Sequence, residues 1–527
     1  MNIKRAKEEI IDSIEAYLSR DAYGEYRIPV IHQRPILLLG APGIGKTQIM
    51  EQIASRCRIA LLSYTITHHT RQSAIGLPFV SKQSFGGKEY TVTEYTMSEI
   101  VASIYNKMEK TGLKEGILFI DEINCVSETL APAMLQLLQY KSFGNHLIPP
   151  GWIIVAAGNP PEYNKSVREF DVVTMDRVKK IEVEPDFDAW KEYAFQANVH
   201  PAVISYLNTK PLHFYRMETT VDGMFFATPR GWEDLSRLIQ VYEDLEKPVD
   251  AQVVVQYIQY PEIAKDFANY LELFYRYRTD YQIDEIFKGN IPDILVKKAA
   301  HASFDERLSL LGLLLGRCGT GFRSCCAMES YLKMLHPLLS QAKVEMLPDE
   351  RLQPGAVPLP EGKIQPGTVP LPEAERSSGA AVLELLLQQV KEEHAQKQRA
   401  ELLTRQQKES FRQTEDFLET AIKEISGSHL QGEEAFSVVK NLFSEEKAQY
   451  DQAYETAAAN LEYAFDFLEA VFGTGQEIVM FLTELNASPY SLHFLETYDC
   501  ERYYRYNRNL LYEDRSRALL AKIQELE

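Results

Sequence analysis

The chain has 527 residues, 45% of them hydrophobic, which is enough for several cores and roughly two to four domains. Its 56 basic residues stand against 75 acidic ones, a formal net charge of -19, so a general polyanion-binding surface is not expected and nucleic acid is not the expected partner. Six scattered cysteines without a Cys-x-x-Cys argue against a disulfide framework or a structural zinc site, and no run approaches the length of a membrane span. The N-terminus alternates charged and apolar residues and lacks the apolar core of a signal peptide, so the expected location is reducing and cytoplasmic.

Residues 1–20 read as an amphipathic helix with Ile3, Ala6, Ile10, Ile11, Ile14 and Tyr17 near one face. Residues 35–39 form an apolar run of the kind a buried strand shows, and 48–57 suit a helix. Between them stand Gly40, Ala41, Pro42, Gly43, Ile44, Gly45, Lys46, Thr47 and then Gln48, the order of a phosphate-binding loop. The glycines let the backbone curl so that its N–H groups face inward, and the helix N-terminus adds further donors for anionic oxygens. Lys46 is expected to reach the β and γ phosphates and Thr47 to hold magnesium.

A second strand is expected at 59–65, apolar and then hydroxylated. A hairpin with Gly86 and Gly87 at its turn is expected over 78–95, and a helix over 97–108. Residues 116–122 give an apolar strand ending in Asp121 and Glu122. At the ligand-binding edge of a parallel sheet, Asp121 would serve the metal and Glu122 would polarise the attacking water. A helix over 129–139 and a loop over 141–150 precede a buried strand at 152–157, which ends in Gly158 and Asn159. Asn159 is the candidate to hold that water, and an Asn chosen for the turn before two prolines is the alternative. A fifth strand at 178–183 closes a five-stranded core.

Beyond the core, a helix is expected over 186–197 and short apolar pieces at 203–207 and 214–217. Thr228 and Pro229 open a helix that runs on to about Tyr242, and Arg230 in its first turn can reach back to the phosphates. Helices are expected at 253–259, 263–277, 294–300, 304–315 and 327–339. Residues 352–361 are nearly repeated as 364–373, a Pro/Gly-rich duplication that reads as a linker. Residues 380–426 return to helix, with breaks at Gly427 and Gly432. Further helices are expected at 433–445, 447–471 and 475–485. The cations and aromatics of 499–509 suit either stacked bases or an interface patch.

Taken together these motifs resemble a known family. Residues 40–47 resemble a Walker A motif, 117–122 a Walker B, and 158–160 the first sensor of AAA+ ATPases. Gly-Leu-Pro at 76–78, Asp-Glu-Ile at 121–123, Met-Asp-Arg at 175–177 and Thr-Pro-Arg at 228–230 are similar to the MoxR branch in particular. The resemblance covers about residues 1–330. It implies an α/β P-loop NTPase core with a parallel five-stranded sheet at 1–185, then a helical lid with additional helices at 186–345. Beyond the resemblance, composition and apolar spacing give a linker at 346–379 and a C-terminal all-helical region, a helical bundle, at 380–527.

The resemblance further implies an ATPase that uses ATP and Mg2+ at the seam between subunits of a ring, usually a homo-hexamer. Arg177 would be the finger acting on the neighbouring subunit's nucleotide, with Arg168 the rival, and Arg230 the second sensor. Met175 and Val178 replace the Leu and Phe usual around the Asp-Arg pair. The implied role is chaperone-like remodelling of protein clients, among them a protein with a von Willebrand factor A domain. The alternative is a motor linked to nucleic acid, of restriction or helicase-loader type. A nucleotide-binding scaffold with little turnover is disfavoured because Glu122, Asn159 and Arg177 are all present.

Overall fold

The computed structural model describes all residues except 69–70, 144–145, 164–169, 221–222, 348–378, 429 and 509–527. The duplicated Pro/Gly segment and Arg168 therefore lie outside the described residues. The chain divides into two compact units. The first comprises Met1–Ala194, Lys210–Asn269 and Gln396–Leu402, and the second Phe195–Thr209, Tyr270–Ala395 and Leu403–Glu527.

The first unit is built on five strands, β1 (Ile36–Gly40), β2 (Ala60–Thr65), β3 (Gly116–Asp121), β4 (Trp152–Gly158) and β5 (Lys179–Val183), in the order β2-β3-β4-β1-β5. Every pairing is parallel, with Ile36 opposite both Val155 and Lys179 in the central register. Continuous apolar runs are what such strands need, because both faces of the sheet are covered. Side chains alternate between the faces. Leu37, Leu118, Ile120, Ile154 and Ala156 share one core with Ile100, Ile104, Met134 and Leu137. Ile36, Leu38, Ile117, Phe119 and Val155 share the other with Ile10, Ile14, Ile49 and Ile53. The covering helices are α1 (Ile3–Leu18), α2 (Lys46–Cys57), α3 (Glu99–Thr111) and α4 (Ala131–Tyr140).

Two hairpins stand apart from this sheet. Pro78–Phe85 pairs antiparallel with Lys88–Tyr95, from Pro78 opposite Tyr95 to Phe85 opposite Lys88. Gly86 and Gly87 turn it with φ of 58° and 80°, the positive values a two-residue turn requires. Gly76 anchors its base. At φ 101°, a Cβ there would lie 1.9 Å from the Thr96 carbonyl oxygen, so only glycine fits ahead of Leu77 and Pro78. The hairpin exposes Phe79, Val80, Phe85, Tyr90 and Tyr95. The second hairpin, Arg216–Thr220 with Gly223–Ala227, was not expected from the apolar piece at 214–217. The loop expected over 141–150 carries a minimal hairpin as well, Ser142–Phe143 with His146–Leu147.

The second unit is helical and corrects the sequence reading in two places. One helix, Phe304–Met346, replaces the two expected at 304–315 and 327–339. Two of its internal glycines, Gly312 and Gly316, are close-approach positions. A Cβ on Gly312 would lie 2.8 Å from Ser205 Cβ, and one on Gly316 2.7 Å from Pro201 Cγ. The helix Pro201–Thr209, expected only as a short apolar piece, packs there. Likewise Gly432–Phe472 is one helix of 41 residues where two were expected. Its apolar side chains, Ala435 and Val439 among them, join Leu335, Leu383, Leu386, Phe411, Leu418 and Ile425 in a shared core. Helices Gln476–Ala487 and Pro489–Thr497 follow.

Residues 501–508 are helical, and two of their cations, Arg502 and Arg505, are spent on nearby acids. Arg502 pairs with Asp466 at 2.6 Å and reaches Glu462 and Glu469, while Arg505 meets Glu469 at 3.0 Å. Tyr503 is buried and Tyr506 donates to Glu469. Of the two readings of this tail, stacked bases and interface patch, the first is not supported by these partners.

Candidate functional site

Because the five strands are parallel, their carboxyl ends share one edge, and the polar residues following β1, β2, β3 and β4 converge there. Gly40 closes β1 against β5, and a Cβ on it would lie 2.6 Å from the Val183 carbonyl oxygen. Gly43 and Gly45 then take φ of 77° and 91°, which curls the loop into the start of α2.

Lys46 opens that helix and is only 8% exposed. Its ammonium donates to the carbonyls of Gly40 at 2.7 Å and Ala41 at 2.8 Å, and to Asn159 Oδ1 at 2.9 Å. Burial pulls its pKa down to about 8, against the opposing influence of Asp121; the cation of Arg230 lowers it further and Glu122 raises it. The Thr47 hydroxyl donates to Asp121 Oδ2 at 2.9 Å. A hydroxyl beside a carboxylate at the mouth of a phosphate loop is the oxygen donor set that magnesium takes together with substrate phosphates. The glycine curl, the buried ammonium and this oxygen pair fit a magnesium nucleotide.

Glu122 holds a left-handed backbone, φ 57°, which is costly for a residue with a side chain by about 1–3 kcal/mol. Its amide donates to Asp121 Oδ1 at 2.9 Å. Its carboxylate accepts from the Thr67 hydroxyl at 3.2 Å. Strain of this kind persists where the surrounding contacts demand it and gathers at functional sites.

Three contributors were not read from the sequence. Asn124 is buried, donates to the Asn159 carbonyl at 2.7 Å and accepts from the Asn159 amide at 3.3 Å. It clamps the residue that Lys46 touches, and a Cβ on Gly158 would strike Asn124 Oδ1 at 2.6 Å. Thr67, just past the hydroxylated end of β2, is the second. Glu233 is the third, a nearly buried acid on the helix α5 (Pro229–Asp244). It accepts from Tyr193 at 2.9 Å and from Gln48 at 3.4 Å and pairs with Arg237. A polar residue inside an apolar stretch was the available signal for Asn124, two positions after Glu122.

Arg230 reaches the loop through its backbone, its amide donating to the Gly43 carbonyl at 3.2 Å, and its side chain is exposed. Thr228 caps the helix by accepting from Gly231 at 3.2 Å, as the Thr-Pro opening predicts. Arg177 is not brought to this edge. It precedes β5, whose Lys179 lies opposite Ile36 while Val183 lies opposite Gly40, so Arg177 sits at the other end of the strands. It is exposed beside Val172 and Val173, which are 85% and 55% exposed.

Residues 35–178 match the family of the AAA domain (dynein-related subfamily). This part of the chain is an AAA+ P-loop domain. The match spans the phosphate loop, the Asp121–Glu122 pair and Asn159, so the candidate site lies within the AAA domain apart from Arg230 and helix α5. A mutant RuvB from Thermotoga maritima is similar in structure at 17% identity and a TM-score of 0.23, over 37% of this chain and 51% of that one. The chain thus spans about half the length of that structure, an overlap too loose to carry function. No curated protein matches the chain. Among the described residues no helix is long and apolar enough to cross a membrane.

Proposed function

We propose that the chain is an ATP hydrolase that uses the energy of turnover to remodel protein partners, in the manner of the MoxR branch of AAA+ ATPases. The observation that carries the hydrolase reading is the convergence of two hydrogen-bonded groups, Lys46 with Asn159 and Thr47 with Asp121 and Glu122, at one sheet edge. In this reading loop amides and the Lys46 ammonium bind the β and γ phosphates. Thr47 and Asp121 would hold magnesium, which when bound neutralises phosphate charge. Asn159 orients water, and Glu122 takes its proton as the new P–O bond forms and the bond to the β-phosphate oxygen breaks, releasing ADP and phosphate. Thr67 fixes the carboxylate that accepts the proton.

Arg177 has no role inside its own subunit in this scheme. Its exposure, next to two exposed valines, suits a finger reaching the nucleotide of a neighbouring copy in a ring. Protein clients are favoured over nucleic acid by the charge of -19 and by the apolar, exposed face of the 78–95 hairpin. The Gly-Leu-Pro at the hairpin base and the Thr-Pro-Arg at the lid helix are the features that favour the MoxR branch, and a partner bearing a von Willebrand factor A domain is the client that branch suggests.

The decisive experiment is Glu122→Gln. ATP binding is expected to persist while kcat drops by roughly 10³-fold, the scale of losing a positioned base. Affinity capture with the ATP-loaded variant is expected to retain protein. A variant that turns over at the parent rate removes Glu122 from the chemistry, and recovery of DNA in place of protein turns the reading to a nucleic-acid motor.

A further inference from the structure

The helical second unit contains a cavity of about 260 Å³ that none of the nucleotide chemistry uses. It lies between the helix Pro201–Thr209, the first half of Phe304–Met346 and the helix Gln476–Ala487. Its wall is mostly apolar, with Phe195, Val199, Ile204, Leu311, Leu315 and Met480 contributing. Much of the polar lining is already satisfied. The Ser205 hydroxyl accepts from Tyr270 at 2.7 Å and donates to the Leu308 carbonyl at 3.2 Å, and Thr209 donates to the Ser205 carbonyl at 3.0 Å.

Two features of the long helix shape the space. Gly312 and Gly316 are covered by Ser205 and Pro201, but a Cβ on Gly319, on the same face, would meet nothing within 4 Å. One turn on, Arg323 brings a guanidinium to the lining. It donates to Thr320 Oγ1 at 3.3 Å, and among the described residues no carboxylate forms an ion pair with it. A guanidinium has five N–H donors, so most of its capacity remains, and burial pulls its pKa below the usual arginine value. Glu484 also lines the cavity, so its carboxylate opposes an anion anywhere but at Arg323.

We propose that this cavity binds a small amphiphile with one anionic end, its chain against the apolar wall and its carboxylate or equivalent anion at Arg323. At ~30 Å³ for each small group, the volume holds roughly nine heavy atoms, the size of a medium-chain carboxylate. A half-buried cation with donors to spare favours an anion, because a charge-assisted hydrogen bond offsets the desolvation it already bears. This inference is independent of the proposed ATP turnover and shares no residue with it.

The test is calorimetric titration of the full chain with octanoate, octylammonium and 1-octanol. Octanoate is expected to bind one to one and at least tenfold more tightly than either of the others. Gly319→Leu, which fills the cavity from a position with open space, is expected to abolish octanoate binding, leave ATP binding unchanged and not lower the melting temperature. Arg323→Gln is expected to bring octanoate down to the level of octanol. If that variant folds poorly, the comparison of the three probes on the parent protein still decides. No saturable octanoate binding, octylammonium or octanol within tenfold, or an unaltered Gly319→Leu protein each overturns the proposal. Tighter binding of N-acetyl-leucyl-leucine than of octanoate overturns the small-molecule assignment in favour of a peptide carboxyl terminus.

Discussion

The two units use glycine for opposite ends. In the AAA domain Gly43 and Gly45 supply left-handed backbone, and the loop they make is local in sequence. In the helical unit Gly312 and Gly316 keep ordinary helical backbone and supply absence of bulk, so that Pro201 and Ser205 come close. The first use is legible from spacing, because a turn, a lysine and a helix start must follow one another. The second depends on a partner helix more than 100 residues away, and in sequence it is indistinguishable from a break. A chain can therefore be plain to read at a local loop and opaque in its scaffold.

The largest effect in this comparison is expected where the chemistry itself leans on a distant contact. Asn124 and Asn159 are 35 positions apart, and their two hydrogen bonds fix the amide that touches Lys46. Asn124→Ala leaves the Asn159 carbonyl and amide without these partners at a partly buried site. The expected outcome is a 10- to 100-fold loss in kcat, as for other supporting residues, with ATP affinity little changed. Steady-state kinetics beside direct nucleotide titration separates the two. If kcat holds, the site is as self-contained as its local motifs suggest.

Next comes the scaffold. Gly316→Ala places a Cβ 2.7 Å from a proline ring that has little freedom to move. Overpacking of this kind costs about 1–3 kcal/mol, measurable as a lower urea midpoint. An unchanged or raised midpoint would return Gly316 to the role of a weak helix position.

Much of the fold of the AAA domain followed from pattern. All five strands, the hairpin at 78–95 and helix α1 lie within a few residues of expectation, since strands buried on both faces must be apolar throughout. The hairpin at 216–227 did not follow, because Met224, Phe225 and Phe226 form a short run that alternates with nothing. Lys46, Thr47, Asp121, Glu122 and Asn159 were legible as a set, their order along the chain being that of successive strand ends. Glu233 was not. Its partners Gln48, Tyr193 and Arg237 come from three helices, and a carboxylate within a helix reads as solvent-facing until those neighbours are known.

A smaller effect tests the electrostatics of the loop. Lys46 titrates near 8 when folded, below the ordinary lysine value of 10.5. Between these values the unfolded chain holds the extra proton, so this group's contribution to stability rises with pH across the window. The proposed phosphate binding should run the other way, because it would require the ammonium. ATP affinity, measured on Glu122→Gln protein to prevent turnover, is expected to be flat below pH 7.5 and to fall about fivefold between pH 8 and pH 9. Titration in buffers of different ionisation heat should then show proton uptake on binding above pH 8. A flat profile to pH 9.5 would mean that burial does not depress Lys46, and that the site is more open than its hydrogen bonds imply.

The smallest effect isolates the comparison best. Gly319 lies three residues from Gly316 in the same helix, yet a Cβ there meets nothing within 4 Å. With no neighbour to displace, Gly319→Ala should show helix propensity alone and stabilise the unit by ~0.5–1 kcal/mol. The sign should therefore reverse between positions 316 and 319, although both lie in the stretch between the helices expected at 304–315 and 327–339. Equal and negative changes would show that the helix is intolerant of side chains throughout this stretch, and the distinction between glycine for bulk and glycine for nothing would fail. Opposite signs would leave the packing partner, and not the residue, as the thing that gives a helical glycine its meaning.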